Sequence, residues 1–116
     1  MDYVFIERLK VQGKHGVTPQ ERKVEQEFEF DIKMWVDTVK AGQSDKLADA
    51  LDYAPVRDRV AAIVETRSFF LIERLGETIC QEILQDQRIE KVELTIRKTA
   101  VWDNGMPGIA MIRTQN

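Results

Sequence analysis

The chain contains few of the residues from which disulfides, metal centres and nucleophilic sites are built. Its 116 residues include one cysteine, one histidine and three prolines. Because the only cysteine is Cys80, no intrachain disulfide can form, which fits a reducing compartment. The N-terminus carries acids on both sides of a very short apolar run, unlike a signal peptide, and no stretch approaches the ~20 apolar residues that cross a bilayer. We therefore expect a cytoplasmic protein that does not enter a membrane.

The same scarcity excludes several kinds of chemistry. His15 and Cys80 lie far apart in the sequence, so we expect no metal site, no Cys-His pair and no Ser-His-Asp triad. Neither a GxGxxG motif nor a P-loop is present. The net charge of -3, with acids and bases interspersed, leaves no basic stripe for a nucleic acid. The expected partner is a small molecule that is neutral or mildly polar.

What the chain does have is the composition of one globular domain, which we place at residues 1–116. Hydrophobic residues make up 43% and charged residues 32%, and the length suffices for one core but not for two. Strict alternation of apolar and polar residues over 28–36 predicts a strand with one face in the core, and residues 3–11 predict another. The Gly13–Gly16 segment and Pro19 interrupt the connection, so we expect an antiparallel hairpin with a long loop.

Two amphipathic helices are predicted after this hairpin. The first begins near Tyr53, with Pro55 suited to its first turn, and the second follows with Ser68 as its N-cap. Gly76 interrupts the second helix at a cost of ~1 kcal/mol, which predicts that a backbone or a ligand approaches closely there. The two apolar stripes comprise Val56, Val60, Ile63 and Val64, and then Ile72, Leu75, Ile79, Ile83 and Leu84.

Two further strands complete the pattern. Alternation over 92–97 predicts the third strand and residues 109–113 the fourth, with a turn at Asn104-Gly105. The resulting order, ββααββ, predicts an α+β fold in which a four-stranded antiparallel sheet carries two helices on one face. Closing subunits edge to edge into a ring would cover the two sheet edges, so we expect a homo-oligomer, although short or charged edges would also serve a monomer.

Four polar residues are candidates for chemistry. They are Glu21 in the first loop, Tyr53 and Glu73 near the starts of the two helices, and Lys98 at the end of the third strand. Taken singly, each has an ordinary structural explanation. Glu21 lies in a charged run, Tyr53 suits a helix boundary, the helix dipole favours Glu73, and Lys98 is a charge at a strand end. Residue type alone therefore leaves their function open.

Three local sequences favour a functional interpretation. They are HGV followed by Glu21, LDYA at 51–54 and FFLIERL at 69–75. With these motifs in this order and at this spacing, the chain from about Tyr3 to Arg113 resembles the dihydroneopterin aldolase family. One such match would be weak, whereas three in order are specific. The resemblance implies a T-fold that assembles into a ring, as a tetramer or as an octamer of two stacked rings.

The resemblance also implies a reaction. Members of the family are lyases of folate biosynthesis that cleave 7,8-dihydroneopterin by a retro-aldol reaction to 6-hydroxymethyl-7,8-dihydropterin and glycolaldehyde. They often act as isomerases too, forming dihydromonapterin, and they use no metal and no organic cofactor. The implied partner is a pterin substrate. Two alternatives stay open, a dihydroneopterin triphosphate epimerase and a non-catalytic T-fold module that binds pterins or purines.

The resemblance assigns substrate-binding roles to particular residues. Glu73 would anchor the pterin through two parallel hydrogen bonds, and the backbone N–H of Ile72 would face the pterin carbonyl. Leu51, Asp52 and Tyr53 match the segment that the family contributes from the adjacent subunit, which implies active sites between subunits. Tyr53 would contact the substrate and help to deliver a proton.

Lys98 matches the catalytic lysine of the family, and Glu21 matches the carboxylate beside it. We assign Lys98 as the general acid/base, acting through water and without a Schiff base. Glu21 would contact the substrate and tune the charge of Lys98. Two features depart from the family pattern. Lys14 stands where an aromatic residue is common, and the segment Thr99–Pro107 replaces a loop rich in proline.

Overall fold

The computed structural model describes all 116 residues and contains one four-stranded antiparallel sheet. The strands lie side by side in chain order, and each neighbouring pair is antiparallel. Their bounds are β1 Asp2–Gly13, β2 Gln26–Val36, β3 Lys91–Lys98 and β4 Gly108–Thr114. The two predicted hairpins are therefore present, and the α+β fold expected from the order ββααββ is confirmed.

Two long helices cover one face of the sheet. The first packs on β1, and the second packs on β3 and β4. Two short helices and one 3-10 turn, which the sequence pattern did not predict, lie in the connections. The bounds are α1 Pro19–Lys23, α2 Val39–Ser44, the 3-10 turn Leu47–Asp49, α3 Tyr53–Thr66 and α4 Ile72–Ile83. None of these helices combines the length and the apolar character that a bilayer span requires.

The core lies between the two long helices and the inner face of the sheet. Cys80 is fully buried in it, and burial raises the pKa of its thiol to about 12, so it is the small core residue that the sequence predicts. The alternating residues of β2 point into this core as predicted, namely Phe28, Phe30, Ile32, Met34 and Val36. The helices supply the opposite layer, including Val56, Val60, Val64, Leu75, Ile79 and Ile83.

The environment of Gly76 differs from the expectation. A Cβ atom built on this residue would stand 2.6 Å from Sδ of Met111 and 3.3 Å from Cδ1 of Ile96. The close neighbours are therefore side chains of β4 and β3, and neither a backbone nor a ligand is needed to explain the glycine. The residue allows α4 to pack closely against the sheet.

Ser68 is not the N-cap of α4, contrary to the prediction. Its hydroxyl donates to the carbonyl of Lys14 at 2.6 Å. The helix begins later, at Ile72, and the preceding Leu71 makes no side-chain capping bond. The local pattern assigns the Ser68 hydroxyl to the helix start, but the hydroxyl bonds Lys14, which is 54 positions away. A local sequence rule cannot reveal a partner at that distance.

The two edges of the sheet are β1 and β4. A bulge interrupts β1 between Ile6 and Leu9, where Arg8 adopts a φ of 57° and its N–H donates to Oδ1 of Asp31 at 2.8 Å. Such a bulge bends and twists an edge strand locally. The edges lack partner strands within the protomer, which is the condition from which we predicted a ring, and the ring itself stays a prediction.

Candidate active site

Lys98 and Glu21 form an ion pair at one end of the sheet. The pairing of β2 with β3 sets Lys98, the last residue of β3, opposite Phe28. Lys98 Nζ lies 3.0 Å from Oε2 of Glu21, and the two side chains are only 15% and 29% exposed. The fold thus brings together two predicted site residues that are 77 positions apart in the sequence.

The short helix α1 fixes the position of Glu21. Thr18 is its N-cap, since Oγ1 accepts from the N–H of Glu21 at 3.1 Å and the N–H of Thr18 donates back to Glu21 Oε1 at 3.4 Å. This reciprocal pattern is a capping box, and Pro19 suits the first turn of the helix. The capping box occupies Oε1 and leaves Oε2 to face Lys98.

The pair keeps Glu21 ionised. A hydrogen bond from the Lys98 ammonium is the main reason that the pKa of the Glu21 carboxyl lies below its ordinary value of 4.5. Partial burial opposes this shift, and the hydrogen bonds from Thr18 support it. Gly16 allows the side chain of Glu21 to lie directly against the loop backbone, since a Cβ on residue 16 would stand 2.5 Å from Cβ of Glu21.

The start of α4 presents an exposed carboxylate and uncapped backbone donors together. Glu73 is exposed and takes part in none of the ion pairs of the protomer. Because Leu71 offers no side-chain acceptor, the N–H groups of Ile72 and Glu73 have no capping partner. Glu77, one turn further on, is engaged instead, by Arg113 at 3.1 Å and Gln81 at 3.0 Å. Glu77 therefore already has a cationic partner within the chain, whereas Glu73 has none.

Leu51, Asp52 and Tyr53 lie at the start of α3. Asp52 is the N-cap of this helix, with Oδ1 accepting from the N–H of Ala54 at 3.1 Å, and Leu51 packs against the core. Tyr53 is 58% exposed. Just before this segment, the carbonyl of residue 50 accepts a hydrogen bond at 3.0 Å from Arg88, which precedes β3. The segment therefore lies at the end of the sheet where β3 begins.

Tyr53 and Lys98 lie at opposite ends of the sheet, as the lengths of β3 and α3 show. β3 contains eight residues and ends at Lys98, so it spans about 23 Å. α3 contains 14 residues and runs from Tyr53 toward the Lys98 end, where the carbonyl of Val64 contacts His15, so it spans about 21 Å. Tyr53 of one protomer therefore cannot meet the Lys98 or Glu73 of that same protomer.

Comparison with known protein families shows which family this chain belongs to. The family model FolB, described as dihydroneopterin aldolase, matches residues 4–110. The chain belongs to the dihydroneopterin aldolase family. The resemblance drawn from three local sequences is thereby confirmed. The dihydroneopterin aldolase of Streptomyces coelicolor is 40% identical over 98 residues, which cover 84% of this chain and 82% of that protein.

Two solved structures extend the likeness to the dihydroneopterin aldolase fold. The dihydroneopterin aldolase of Escherichia coli, in complex with neopterin, superposes with a TM-score of 0.91 at 37% identity, over 97% of this chain and 99% of that chain. The FolB protein of Vibrio cholerae gives a TM-score of 0.95 at 33% identity, over 99% and 98% of the two chains. The predicted T-fold is confirmed over nearly the whole chain.

The loop that departs from the dihydroneopterin aldolase pattern leaves the ion pair intact. The backbone N–H of Lys98 donates to the carbonyl of Pro107 at 2.9 Å, and the hydroxyl of Thr99 donates to Oε2 of Glu27 at 2.6 Å. Trp102 lies in this loop and is 58% exposed. Lys98 therefore still meets Glu21 although the sequence after it differs from the family pattern.

Two residues that shape this site were missed by sequence reasoning. The Thr-x-x-Glu spacing of Thr18 and Glu21, with a proline between them, is a readable capping signal. His15, which is fully buried, gave no comparable signal, because its partners lie in distant parts of the chain. In the sequence it stood out as the sole histidine and as the first residue of the HGV motif, and neither feature indicated its contacts.

Proposed function

We propose that this protein cleaves 7,8-dihydroneopterin by a retro-aldol reaction, yielding 6-hydroxymethyl-7,8-dihydropterin and glycolaldehyde. The observation that carries this proposal is the contact of 3.0 Å between Lys98 Nζ and Glu21 Oε2 in a member of the dihydroneopterin aldolase family. A poorly exposed lysine beside a carboxylate is suited to acid/base chemistry. It does not need a metal or an organic cofactor for that role.

Glu73 and the start of α4 are suited to bind the pterin. One edge of a pterin presents an exocyclic amino group beside a ring N–H, and a carboxylate can accept hydrogen bonds from both. The uncapped N–H of Ile72 is a donor for the neighbouring pterin carbonyl. The contrast with Glu77, whose carboxylate is already engaged by Arg113, supports Glu73 as the anchor.

The cleavage needs a base, an electron sink and an acid. The base removes the proton from the side-chain hydroxyl on the carbon that departs, the carbon–carbon bond breaks, and its electrons pass into the imine of the dihydropterin ring. Glycolaldehyde leaves, and the resulting enamine takes up a proton at carbon. We assign Lys98, acting through water, to the proton transfers, and Glu21 to holding Lys98 in place as its counter-ion.

Tyr53, with Asp52 and Leu51, would come from an adjacent copy of the chain. The separation of about 20 Å within a protomer means that only a second copy can bring Tyr53 to Lys98 and Glu73. The two sheet edges without partner strands give a route to such an assembly, since a head-to-tail contact that closes makes a ring. We propose a homo-oligomeric ring, as a tetramer or a stacked octamer, in which Tyr53 helps to protonate the enamine.

A product assay with purified protein and dihydroneopterin tests the function. We expect glycolaldehyde and 6-hydroxymethyl-dihydropterin in equal amounts, with dihydromonapterin as a side product. Absence of glycolaldehyde would contradict the proposal. Epimerisation of dihydroneopterin triphosphate without cleavage would identify an epimerase instead, and pterin binding without turnover would identify a binding module.

Of the three loop cations that could meet a triphosphate tail, Lys14, Lys23 and Arg22, the one already engaged within the chain is Arg22. Its Nη1 atom donates to the carbonyls of Gly16 at 3.0 Å and Val17 at 2.6 Å, and its guanidinium lies 4.4 Å from the ring centre of Phe70. A cation engaged in this way is not available to a flexible phosphate tail without losing those contacts.

Cytoplasmic residence, expected from the single cysteine, stays a prediction.

A further inference from the structure

His15 is a fully buried polar residue that the proposed reaction does not use. Its imidazole lies between three parts of the chain. Nε2 lies 2.8 Å from the carbonyl of Val64 on α3, and Nδ1 lies 3.1 Å from the backbone nitrogen of Phe69, shortly before α4. The ring also meets Phe28 of β2 edge to face, at 5.3 Å between centroids.

These contacts fix the protonation state of His15. The N–H of Phe69 is a donor, so Nδ1 must be the acceptor, and the single proton of the neutral ring resides on Nε2, where it is donated to Val64. Burial lowers the pKa of His15, and the positive charge of Lys98 lowers it further. The neutral ring therefore carries one donor and one acceptor, each with a partner.

The same loop binds the segment before α4 at two more points. The N–H of Gly16 donates to the carbonyl of Phe69 at 3.0 Å, and the hydroxyl of Ser68 donates to the carbonyl of Lys14 at 2.6 Å. Both backbone groups of Phe69 are thus engaged by the loop. We call these contacts of residues 14–16 with residues 68–69 the loop clamp.

The loop clamp stands between the two halves of the chemistry within a protomer. On one side the loop continues through Thr18 to Glu21, which meets Lys98. On the other side Phe69 leads to Leu71, which provides no side-chain cap that could fix the start of α4. Packing on the sheet holds the body of α4, and the position of its first turn, with Ile72 and Glu73, depends in addition on how Phe69 is held.

We propose that His15 is a positioning residue: by accepting the N–H of Phe69 at Nδ1, it sets the start of α4, and with it Glu73, at the proper place relative to Lys98. The inference rests on the proposed pterin site. The competing explanation is that His15 only fills the core and satisfies its neighbours, in which case its two nitrogens would contribute to stability but not selectively to binding.

Two substitutions separate the two nitrogens of His15. Asparagine places its side-chain oxygen near the position of Nδ1, so His15→Asn retains the acceptor for Phe69. Glutamine places its side-chain nitrogen near the position of Nε2, so His15→Gln retains the donor to Val64. Each variant leaves one backbone group without its partner, so both are expected to lower the melting temperature. They form a matched pair in which only one loses the contact to Phe69.

The first measurement is the steady-state kinetics of both variants with dihydroneopterin. We expect His15→Gln to raise KM by about tenfold with little change in kcat, and His15→Asn to keep KM near the wild-type value. Val60→Ala, a core substitution in α3, controls for loss of stability alone and should leave KM unchanged. Equal KM values for the two His15 variants, whether raised or not, would overturn the proposal.

The second measurement does not depend on the reaction. Hydrogen exchange followed by NMR should show faster exchange at the hydrogen-bonded amides of Phe69, Arg74 and Leu75 in His15→Gln than in His15→Asn. If the wild-type protein neither turns over dihydroneopterin nor binds neopterin, the proposed function fails, while this comparison still tests the positioning role. Identical exchange at these amides in both variants would contradict it.

A third variant keeps the test decisive if His15→Gln does not fold. Ser68 is exposed, so Ser68→Ala removes one contact of the loop clamp without opening the core. We expect a smaller rise of KM, about two- to threefold, with kcat unchanged. A wild-type KM in Ser68→Ala, together with a His15→Gln variant that does not fold, would overturn the proposal.

Discussion

The two ends of this molecule are built differently. At the end where β3 finishes, Lys98, Glu21 and Thr18 are joined by hydrogen bonds of 3.0 to 3.4 Å, and the loop clamp around His15 ties α4 to the same frame. At the end where β3 begins, Tyr53 is 58% exposed. The neighbouring Asp52 caps α3 by accepting the N–H of Ala54 and makes no bond to the tyrosine side chain.

Only one half of the proposed site is complete within a single chain. Lys98 and Glu21 are already in contact within one chain, whereas Tyr53 has an exposed side chain and lies about 20 Å away. In the proposed site, a second copy of the chain supplies the Tyr53 that the Lys98 end lacks. Substitutions on the two sides of the proposed site can test that division.

Lys98→Met should remove the acid/base group and leave the fold in place. We expect kcat to fall by about 10²- to 10⁴-fold with a smaller change in KM, because a positioned proton carrier contributes that much to a rate. The matched control is Lys91→Met at the opposite end of β3, where the ammonium lies over Trp35 at 4.2 Å. Wild-type turnover in Lys98→Met, measured as release of glycolaldehyde, would remove Lys98 from the mechanism.

Glu73→Gln should weaken substrate binding more than it slows the chemistry. A glutamine can accept only one of the two hydrogen bonds and presents an N–H to the other donor, so we expect KM to rise by about 10- to 100-fold. Glu77→Gln alters the next glutamate of the same helix face, which Arg113 already engages, and should leave KM nearly unchanged. Equal changes of KM in the two variants would show that Glu73 is not the anchor.

Glu21→Gln should reduce the dependence of stability on acid. Because the folded pKa of Glu21 lies below 4.5, its ionised form adds stability above that pH, and the added stability is lost as the pH falls through the folded pKa. The wild-type protein should therefore be the more stable of the two above pH 4.5, and the difference should shrink in acid. Melting curves of both proteins across this range measure it, and a difference that grows in acid would contradict the ion pair.

How far the sequence predicted the molecule depends on how local each cause is. The register of β2 was predictable because period-two alternation fixes which face is buried, and Phe28 and Phe30 are indeed fully buried. The cap on α4 was mispredicted because Ser68 bonds Lys14 in another part of the chain. The role of His15 depends likewise on long-range partners, which no local pattern reveals.

The same distinction between local and long-range causes applies to the candidate site. Local motifs contained Glu21, Tyr53 and Glu73, the resemblance to the family added Lys98, and the structure places Lys98 against Glu21. The short helix α1 that holds Glu21 was missed although its capping box was readable in the sequence. The separation of Tyr53 from Lys98 could be computed only once the directions of α3 and β3 were known.

Gly76→Ala should have the smallest effect, on stability alone. Alanine favours a helix by about 1 kcal/mol over glycine, but its Cβ would press on Met111, at a cost of about 1–3 kcal/mol. We expect a net loss of about 1 kcal/mol in the free energy of unfolding. In a Met111→Ala background the same substitution should become neutral or stabilising, which a double-mutant cycle by denaturant titration would reveal. An equal loss in both backgrounds would exclude Met111 as the cause.

Combining two inactive chains tests whether the site is shared between subunits. Lys98→Met and Tyr53→Ala chains, mixed in equal amounts by refolding together, should form rings in which about a quarter of the sites join an intact Lys98 to an intact Tyr53 of the neighbour. We predict that the mixture recovers about a quarter of the wild-type activity, far above either variant alone. Activity no greater than the average of the two separate variants would contradict a site shared between subunits.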